Sequence, residues 1–121
     1  MELNESLIAE FRHEAATTLR MLERIPADAL EFRPHEKSRT LGEIALHIAN
    51  LPGLFIAPLD REEFDRDDYR VSVTPNSDLI ERFSRNSVDA LRTLKSLTND
   101  ALFSSWKYKS GDTVIFEMPR L

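Results

Sequence analysis

The stretch that decides the fold is residues 38–53, with the sequence SRTLGEIALHIANLPG. Its beginning has the pattern of a capping box, because Thr40 is followed three residues later by Glu43, whose carboxylate can reach back to a free helix amide. Apolar residues then recur at helical spacing. Pro52 and Gly53 at its end predict that the helix breaks or kinks there. The stretch therefore predicts a capped, amphipathic central helix.

His47 lies one step off the apolar stripe of this helix, where a side chain can face a groove between helices. Glu43 is one turn earlier on the same side, and Asn50 is about one turn later. A histidine in this position is either a core residue with a backbone partner or a metal ligand that faces a cavity. The residues alone favour the core interpretation.

The composition describes one globular domain, residues 1–121, with 41% hydrophobic and 31% charged residues. A net charge of −5 disfavours nucleic acid and membrane surfaces as partners. The absence of cysteine excludes disulfides, thiolate metal sites and a cysteine nucleophile. The sequence shows no signal-peptide pattern, and we identify no apolar run that approaches the length of a membrane span. These features predict a cytoplasmic protein.

Two further amphipathic helices are predicted, one over residues 4–24 and one from about residue 76 to 98. In the connector before the central helix, Phe32 is predicted to cover one end of the bundle.

Residues 60–70 are dense in charges of both signs. Asp65, Asp67 and Asp68 within this run suggest a calcium loop, but the required glycine and terminal glutamate are missing, so a solvated loop is favoured. Residues 71–74 are predicted to form a short extended piece.

The end of the chain differs in character from the helices. Residues 106–109 and 113–116 flank Ser110-Gly111-Asp112, a pattern that predicts a β-hairpin with a short turn. Pro119 then favours the start of another helix. Three amphipathic helices usually need a further partner, so the helices either close on themselves or leave an apolar groove for a second copy of the chain. The aromatic residues Phe11, Phe55 and Trp106 are candidates for lining a pocket, but we interpret them as core residues.

Three segments in this order resemble the DinB-like superfamily of metal-dependent enzymes. They are residues 22–26 (LERIP), 32–38 (FRPHEKS) and 41–49 (LGEIALHIA), and the approach to Met118-Pro119-Arg120 is also similar to that family. The resemblance extends over essentially the whole chain. It implies an all-α fold of the up-down four-helix-bundle type, with three main helices present here and a short β-hairpin near the C-terminus.

The resemblance also implies a divalent metal, zinc or nickel, held by three histidines. The matching position for the first of these is His47, and Glu43 is a candidate for a catalytic base or for a partner of the ligand. The other two histidines come from an HxxxH pair on a fourth helix, whose spacing places both imidazoles on one face. We expect that helix to be absent here, since no HxxxH pair occurs in residues 1–121.

Two functions of different classes are expected, the first implied by the resemblance and the second by the unpartnered apolar helix faces. The first is a DinB-like metal-dependent enzyme, either a hydrolase or a transferase of low-molecular-weight thiols, which acts on a small-molecule substrate and has an incomplete site in this chain. The second is a non-catalytic helical module for binding or dimerisation. A homodimer is expected in either case, because an exposed apolar groove is usually covered by a partner.

Overall fold

The computed structural model describes residues 2–68 and 78–121. It contains helices α1 to α4, strands β1 to β3 and two short 3₁₀ turns. In chain order the elements are α1 (Leu3–Glu23), a 3₁₀ turn (Ala27–Ala29), α2 (Leu41–Asp60), β1 (Glu63–Asp65), a 3₁₀ turn (Arg66–Asp68), α3 (Leu79–Ser96), α4 (Asn99–Phe103), β2 (Ser105–Ser110) and β3 (Thr113–Pro119). The predicted extended piece, residues 71–74, lies outside the described residues.

Helix α3 organises the core, because both α1 and α2 pack against it. One buried cluster joins Leu22 of α1, Ala49 of α2 and Phe83 of α3. Polar contacts fix the same interfaces: the Asn86 side-chain amide of α3 donates to the Ala49 carbonyl at 2.9 Å. The side-chain amide of Asn4, a buried residue of α1, donates to the Leu94 carbonyl of α3 at 3.0 Å. The amphipathic helices predicted from sequence are confirmed within these bounds.

The capping box at the start of α2 is confirmed. The Thr40 hydroxyl accepts a hydrogen bond from the Glu43 amide at 3.1 Å, and the Glu43 carboxylate accepts one from the Thr40 amide at 3.0 Å. Of the break or kink predicted at Pro52, the break is wrong, since α2 continues through Pro52 and Pro58 as far as Asp60. Pro52 is buried, so packing of α2 outweighs the cost of a proline inside the helix.

The expected all-α class is wrong, because the chain forms a three-stranded mixed sheet beside the helices. Strand β1 pairs in parallel with β2, and β2 pairs antiparallel with β3. The segment predicted as a solvated loop thus becomes β1 and a 3₁₀ turn. Phe64 stacks on Tyr108 at 5.8 Å, and the Asp65 carboxylate accepts hydrogen bonds from the Gly111 amide at 3.1–3.2 Å. These contacts with residues far along the chain hold the charged segment in the sheet.

The predicted hairpin is confirmed and is longer than expected. Gly111 has a φ of 57° at the turn, in the left-handed region that glycine tolerates best. The helix predicted to start at Pro119 is not observed, because Pro119 is the last residue of β3 and pairs with Ser105. Phe32 is 60% exposed and therefore does not cover the end of the bundle.

Helix α2 also has the length and composition of a membrane-spanning helix, contrary to the expectation that no segment approaches that length. About a third of its apolar window, 35%, is buried within the structure. The core helix of a globular protein meets the same criterion, so the cytoplasmic location stays a prediction.

Candidate functional site

An open apolar groove of about 590 Å³ lies between α1 and α2, and Phe83 of α3 also contributes to its lining. We call it the α1–α2 groove. Its lining combines stripes of α1 and α2 with Phe83 of α3 and one face of the sheet. The lining residues are Phe11, Glu14, Ala15, Thr18, Ile48, Leu51, Pro52, Leu54, Phe55, Pro58, Phe64, Arg66, Phe83, Trp106, Tyr108 and Phe116.

The helical walls of the groove follow from residue spacing. On α1 the lining residues recur three and four positions apart from Phe11 to Thr18, and on α2 they recur similarly from Ile48 to Pro58. The Phe11 and Phe55 rings stack with centroids 6.3 Å apart and so connect the two walls. Phe55 remains 43% exposed, so the interpretation of these aromatics as plain core residues is wrong for this position.

The sheet supplies an aromatic wall. Tyr108 is its centre: its ring stacks on Phe116 at 4.9 Å and on Phe64 at 5.8 Å. Trp106 meets both Tyr108 and Phe116 edge to face, at 6.3 and 5.6 Å. Such ring pairs contribute about 0.5–1.5 kcal/mol each beyond the area they bury. The cluster therefore forms a continuous wall that also holds β1 and β3 to β2.

Among the described residues that line the groove, only Glu14 and Arg66 are charged. Glu14 of α1 is exposed, and Arg66 follows β1 with its guanidinium 3.7 Å from the Asp67 carboxylate. Apart from this acid and this base, the described lining is apolar except for the Thr18 and Tyr108 hydroxyls and the indole N–H of Trp106. The groove is therefore suited to an apolar surface rather than to a strongly charged ligand.

His47 is exposed on α2, next to the end of the groove that begins at Ile48. It lies one turn after Ile44 and one turn before Leu51, which are 41% and 42% exposed. In the part of the chain that the structure describes, the imidazole has no hydrogen bond or ion pair. The buried-core interpretation of His47 is therefore wrong, and its assignment as a metal ligand stays a prediction.

The Glu43 carboxylate is part of the capping box of α2. One carboxylate oxygen accepts the Thr40 amide in the capping box, and the side chain is exposed. The cap holds this carboxylate at the start of α2, one turn before His47. The sequence assigned it a second, catalytic role, and that role stays a prediction.

The other two histidines do not join His47 in a cluster. His13 is exposed on α1, as expected, and the His35 ring accepts a hydrogen bond from the Lys37 amide at 3.1 Å in the exposed connector. Across residues 2–68 and 78–121, no three His, Cys, Asp or Glu side chains come together in a group that could hold a metal ion. Because tight zinc or nickel binding needs about three converging protein ligands, these residues do not form a metal site by themselves.

Comparison with known proteins identifies a family and nothing closer. The model of the DinB family matches residues 1–112 of the chain. No curated protein and no solved structure matches it. The match covers α1, α2, α3 and their connectors, and ends in the turn between β2 and β3.

Proposed function

The chain belongs to the DinB family, and from that premise we propose that it acts as a binding module whose α1–α2 groove receives an amphipathic helix. The observation that carries this proposal is the exposed apolar stripe of α2. Ile44, Leu51 and Phe55 lie on one side of the helix and are each more than 40% exposed. Exposed apolar surface of this extent usually marks an interaction site.

The dimensions and chemistry of the groove favour a helix as its occupant. On α2 the lining of the groove extends from Ile48 to Pro58, a length of about 15 Å or about three helical turns. The opposite wall offers Phe11, Ala15 and Thr18 at the spacing of a second helix stripe. Two parallel stripes form the surface into which the side chains of a third helix can pack.

A second candidate function is a metal-dependent enzyme, a hydrolase or a thiol S-transferase that acts on a small-molecule substrate. The imidazole of His47 favours it, because it is exposed at the end of the groove and has no hydrogen-bond or ion-pair partner among residues 2–68 and 78–121. Family resemblance implies a fourth helix with two further histidines, and such a helix bound in the groove would complete the donor set. Bound zinc or nickel would supply Lewis-acid chemistry. The described residues provide too few ligands to support a catalytic step by themselves.

Trp106 provides a direct test of helix binding, because it is the only tryptophan of the chain and lines the groove. The probe is a synthetic amphipathic helix of about 15 residues without tryptophan, compared with a peptide of the same composition in scrambled order. We expect the helix to shift Trp106 emission saturably, and Leu51→Glu to abolish the shift. Val88→Glu is the matched control, since Val88 is an apolar residue 56% exposed on α3, outside the groove.

The same samples separate the two candidate functions by elemental analysis. Near-stoichiometric zinc or nickel that is lost in His47→Ala and retained in His13→Ala would establish the metal-dependent candidate. Protein without metal, together with saturable helix binding, would leave the non-catalytic module. If the ordered and scrambled peptides act alike, or if Leu51→Glu and Val88→Glu bind equally, the groove is not a helix-binding site.

A further inference from the structure

The two charges in the lining of the α1–α2 groove are incompletely paired. The Arg66 guanidinium lies 3.7 Å from the Asp67 carboxylate, which is longer than a hydrogen bond, and it has no other partner in the described residues. The second oxygen of Asp67 accepts the Ser110 hydroxyl at 2.8 Å, so this carboxylate is already held in the turn. Glu14 has no hydrogen bond or ion pair within residues 2–68 and 78–121. Both groups can therefore pair with a molecule in the groove.

The sequence that follows Arg66 does not offer it a carboxylate either. Residues 69–77, with the sequence YRVSVTPNS, contain no Asp or Glu. The nearby Asp65 carboxylate accepts hydrogen bonds from the Gly111 amide at 3.1–3.2 Å and from the Asp67 amide at 2.9 Å. The acids around this turn are thus used to build the turn, and the two terminal amino groups of Arg66 are left to bind another acceptor.

The end of the groove that the sheet forms is rich in hydrogen-bond donors. Arg66 follows Phe64 by two residues, and the Tyr108 ring stacks on Phe64 at 5.8 Å. The Tyr108 hydroxyl and the Trp106 indole N–H also line the groove, and neither makes a hydrogen bond in the part of the chain that the structure describes. A guanidinium binds a carboxylate through two parallel hydrogen bonds, so this end favours an acidic side chain.

The two charges have a fixed order along the groove. Leu22 of α1 clusters with Ala45 of α2, and Phe11 stacks on Phe55, so the two helices run antiparallel. Helix α2 leads into β1, so the Phe11–Phe55 pair marks the end next to the sheet. Glu14 lies three residues after Phe11 and is therefore about one turn, roughly 5 Å, farther from the sheet. A bound helix meets the positive charge at the sheet and the negative charge beyond it.

We propose that the helix bound in the groove carries an acidic side chain at the sheet end, against Arg66, and a basic side chain about one to two turns farther along, against Glu14. This inference rests on the helix-binding function proposed above and specifies the chemistry of the partner. The rest of the described lining is uncharged and mostly apolar, so the face between the two charges is apolar. A purely basic helix is disfavoured, because it would place a second positive charge against Arg66.

Three versions of the tryptophan-free amphipathic peptide test this charge match. They differ only at the position meant for the sheet end, which is Glu, Gln or Lys, and each carries Lys about two turns farther along. Titration of Trp106 emission gives the dissociation constants. We expect the Glu peptide to bind about three- to tenfold more tightly than the Gln peptide, as for a partly exposed charge-assisted pair, and the Lys peptide to bind most weakly.

Matched substitutions of the protein show whether Arg66 is responsible. Arg66→Gln should remove the preference for the Glu peptide, whereas Arg12→Gln should preserve it, because Arg12 is exposed on α1 outside the lining. Both variants lose one positive charge, so the comparison separates a local pair from the net charge of the protein. Arg66→Glu should reverse the order of the peptides, so that the Lys version binds most tightly. Circular dichroism checks that the variants fold.

The basic position of the partner has its own pair of variants. Glu14→Gln should weaken binding of all three peptides, since each carries the Lys that faces Glu14. Glu10→Gln, at an exposed acid of α1 outside the lining, should leave binding unchanged. Equal effects of the two substitutions would show that Glu14 does not contact the partner.

The outcomes distinguish this inference from helix binding itself. If the three peptides bind equally well, or if Arg66→Gln and Arg12→Gln keep the same preference, the charge match is wrong, although a loss of binding in Leu51→Glu would still support the groove. If no peptide binds saturably, both proposals fail. Sedimentation velocity of the protein alone tests the homodimer expected from sequence. A dimer that dissociates in Leu51→Glu would show that a second copy fills the groove, and would overturn the proposed partner.

Discussion

The helices and the sheet are stabilised in different ways. In the helical part, Leu94 and Leu102 are completely buried, and α3 contacts both neighbouring helices. In the sheet, every residue of β3 is exposed, and the strands are joined by stacked rings and polar contacts at the surface. The helical part therefore depends on apolar burial, whereas the sheet depends on contacts that water can reach. The same kind of substitution should therefore lower the free energy of unfolding by different amounts in the two regions.

The largest effect should come from the helical core. Leu94→Ala removes a fully buried side chain, and we expect it to lower the free energy of unfolding by about 2–5 kcal/mol. Val114→Ala, in β3, removes methyl groups that are half exposed and should cost no more than about 0.5 kcal/mol. Urea unfolding followed by circular dichroism, at a dilution that favours the monomer, measures both. Equal losses of unfolding free energy in the two variants would show that Val114 is packed as part of the core.

An intermediate effect is expected at the capping box, which fixes the start of α2. Thr40→Ala removes the hydroxyl that accepts the Glu43 amide, and should lower the free energy of unfolding by about 1 kcal/mol. Glu43→Gln keeps an oxygen that can accept the Thr40 amide, so its effect on stability should be smaller. The same urea measurements compare the two variants. A larger loss in Glu43→Gln would show that the charge matters more than the cap.

The contrast between the two regions also explains what the sequence could predict. Capping boxes, helix periodicity and hairpin turns are local patterns, so the start of α2, the amphipathic helices and the turn at Gly111 can all be predicted from residues close in the chain. The continuation of α2 through Pro52 cannot be predicted from nearby residues, because it depends on the burial of Pro52 against the rest of the fold.

The sheet and the groove could not be predicted from local patterns. Strand β1 is only three residues long, and it becomes a strand through β2, whose residues lie more than forty positions later. Phe55 has the same spacing as a core residue, and periodicity does not tell which side of a helix remains uncovered. His47 is found through its helix position and family resemblance, but its exposure depends on the arrangement of α1 and α2.

The smallest effect should come from an ion pair that links β1 to β2. The Lys109 ammonium lies 2.8 Å from the Glu63 carboxylate, and this hydrogen bond raises the pKa of Lys109 above its ordinary value of 10.5 despite some desolvation. Because the pKa is higher in the folded state, its contribution to stability is fully present below about pH 10.5. The contribution is lost as the pH rises through the folded-state pKa.

Glu63→Gln removes this contribution and leaves the strand in place. The difference in unfolding midpoint between wild type and Glu63→Gln should be small, because the pair is at the surface, and constant from neutral pH to about pH 10. Above about pH 10 the difference in unfolding midpoint between the two proteins should decrease to zero. An NMR titration of the Lys109 ε-methylene group measures the pKa directly. A midpoint difference that persists at the highest pH, or a Lys109 pKa at or below 10.5, would show that the Lys109–Glu63 pair does not hold β1 against β2 in solution.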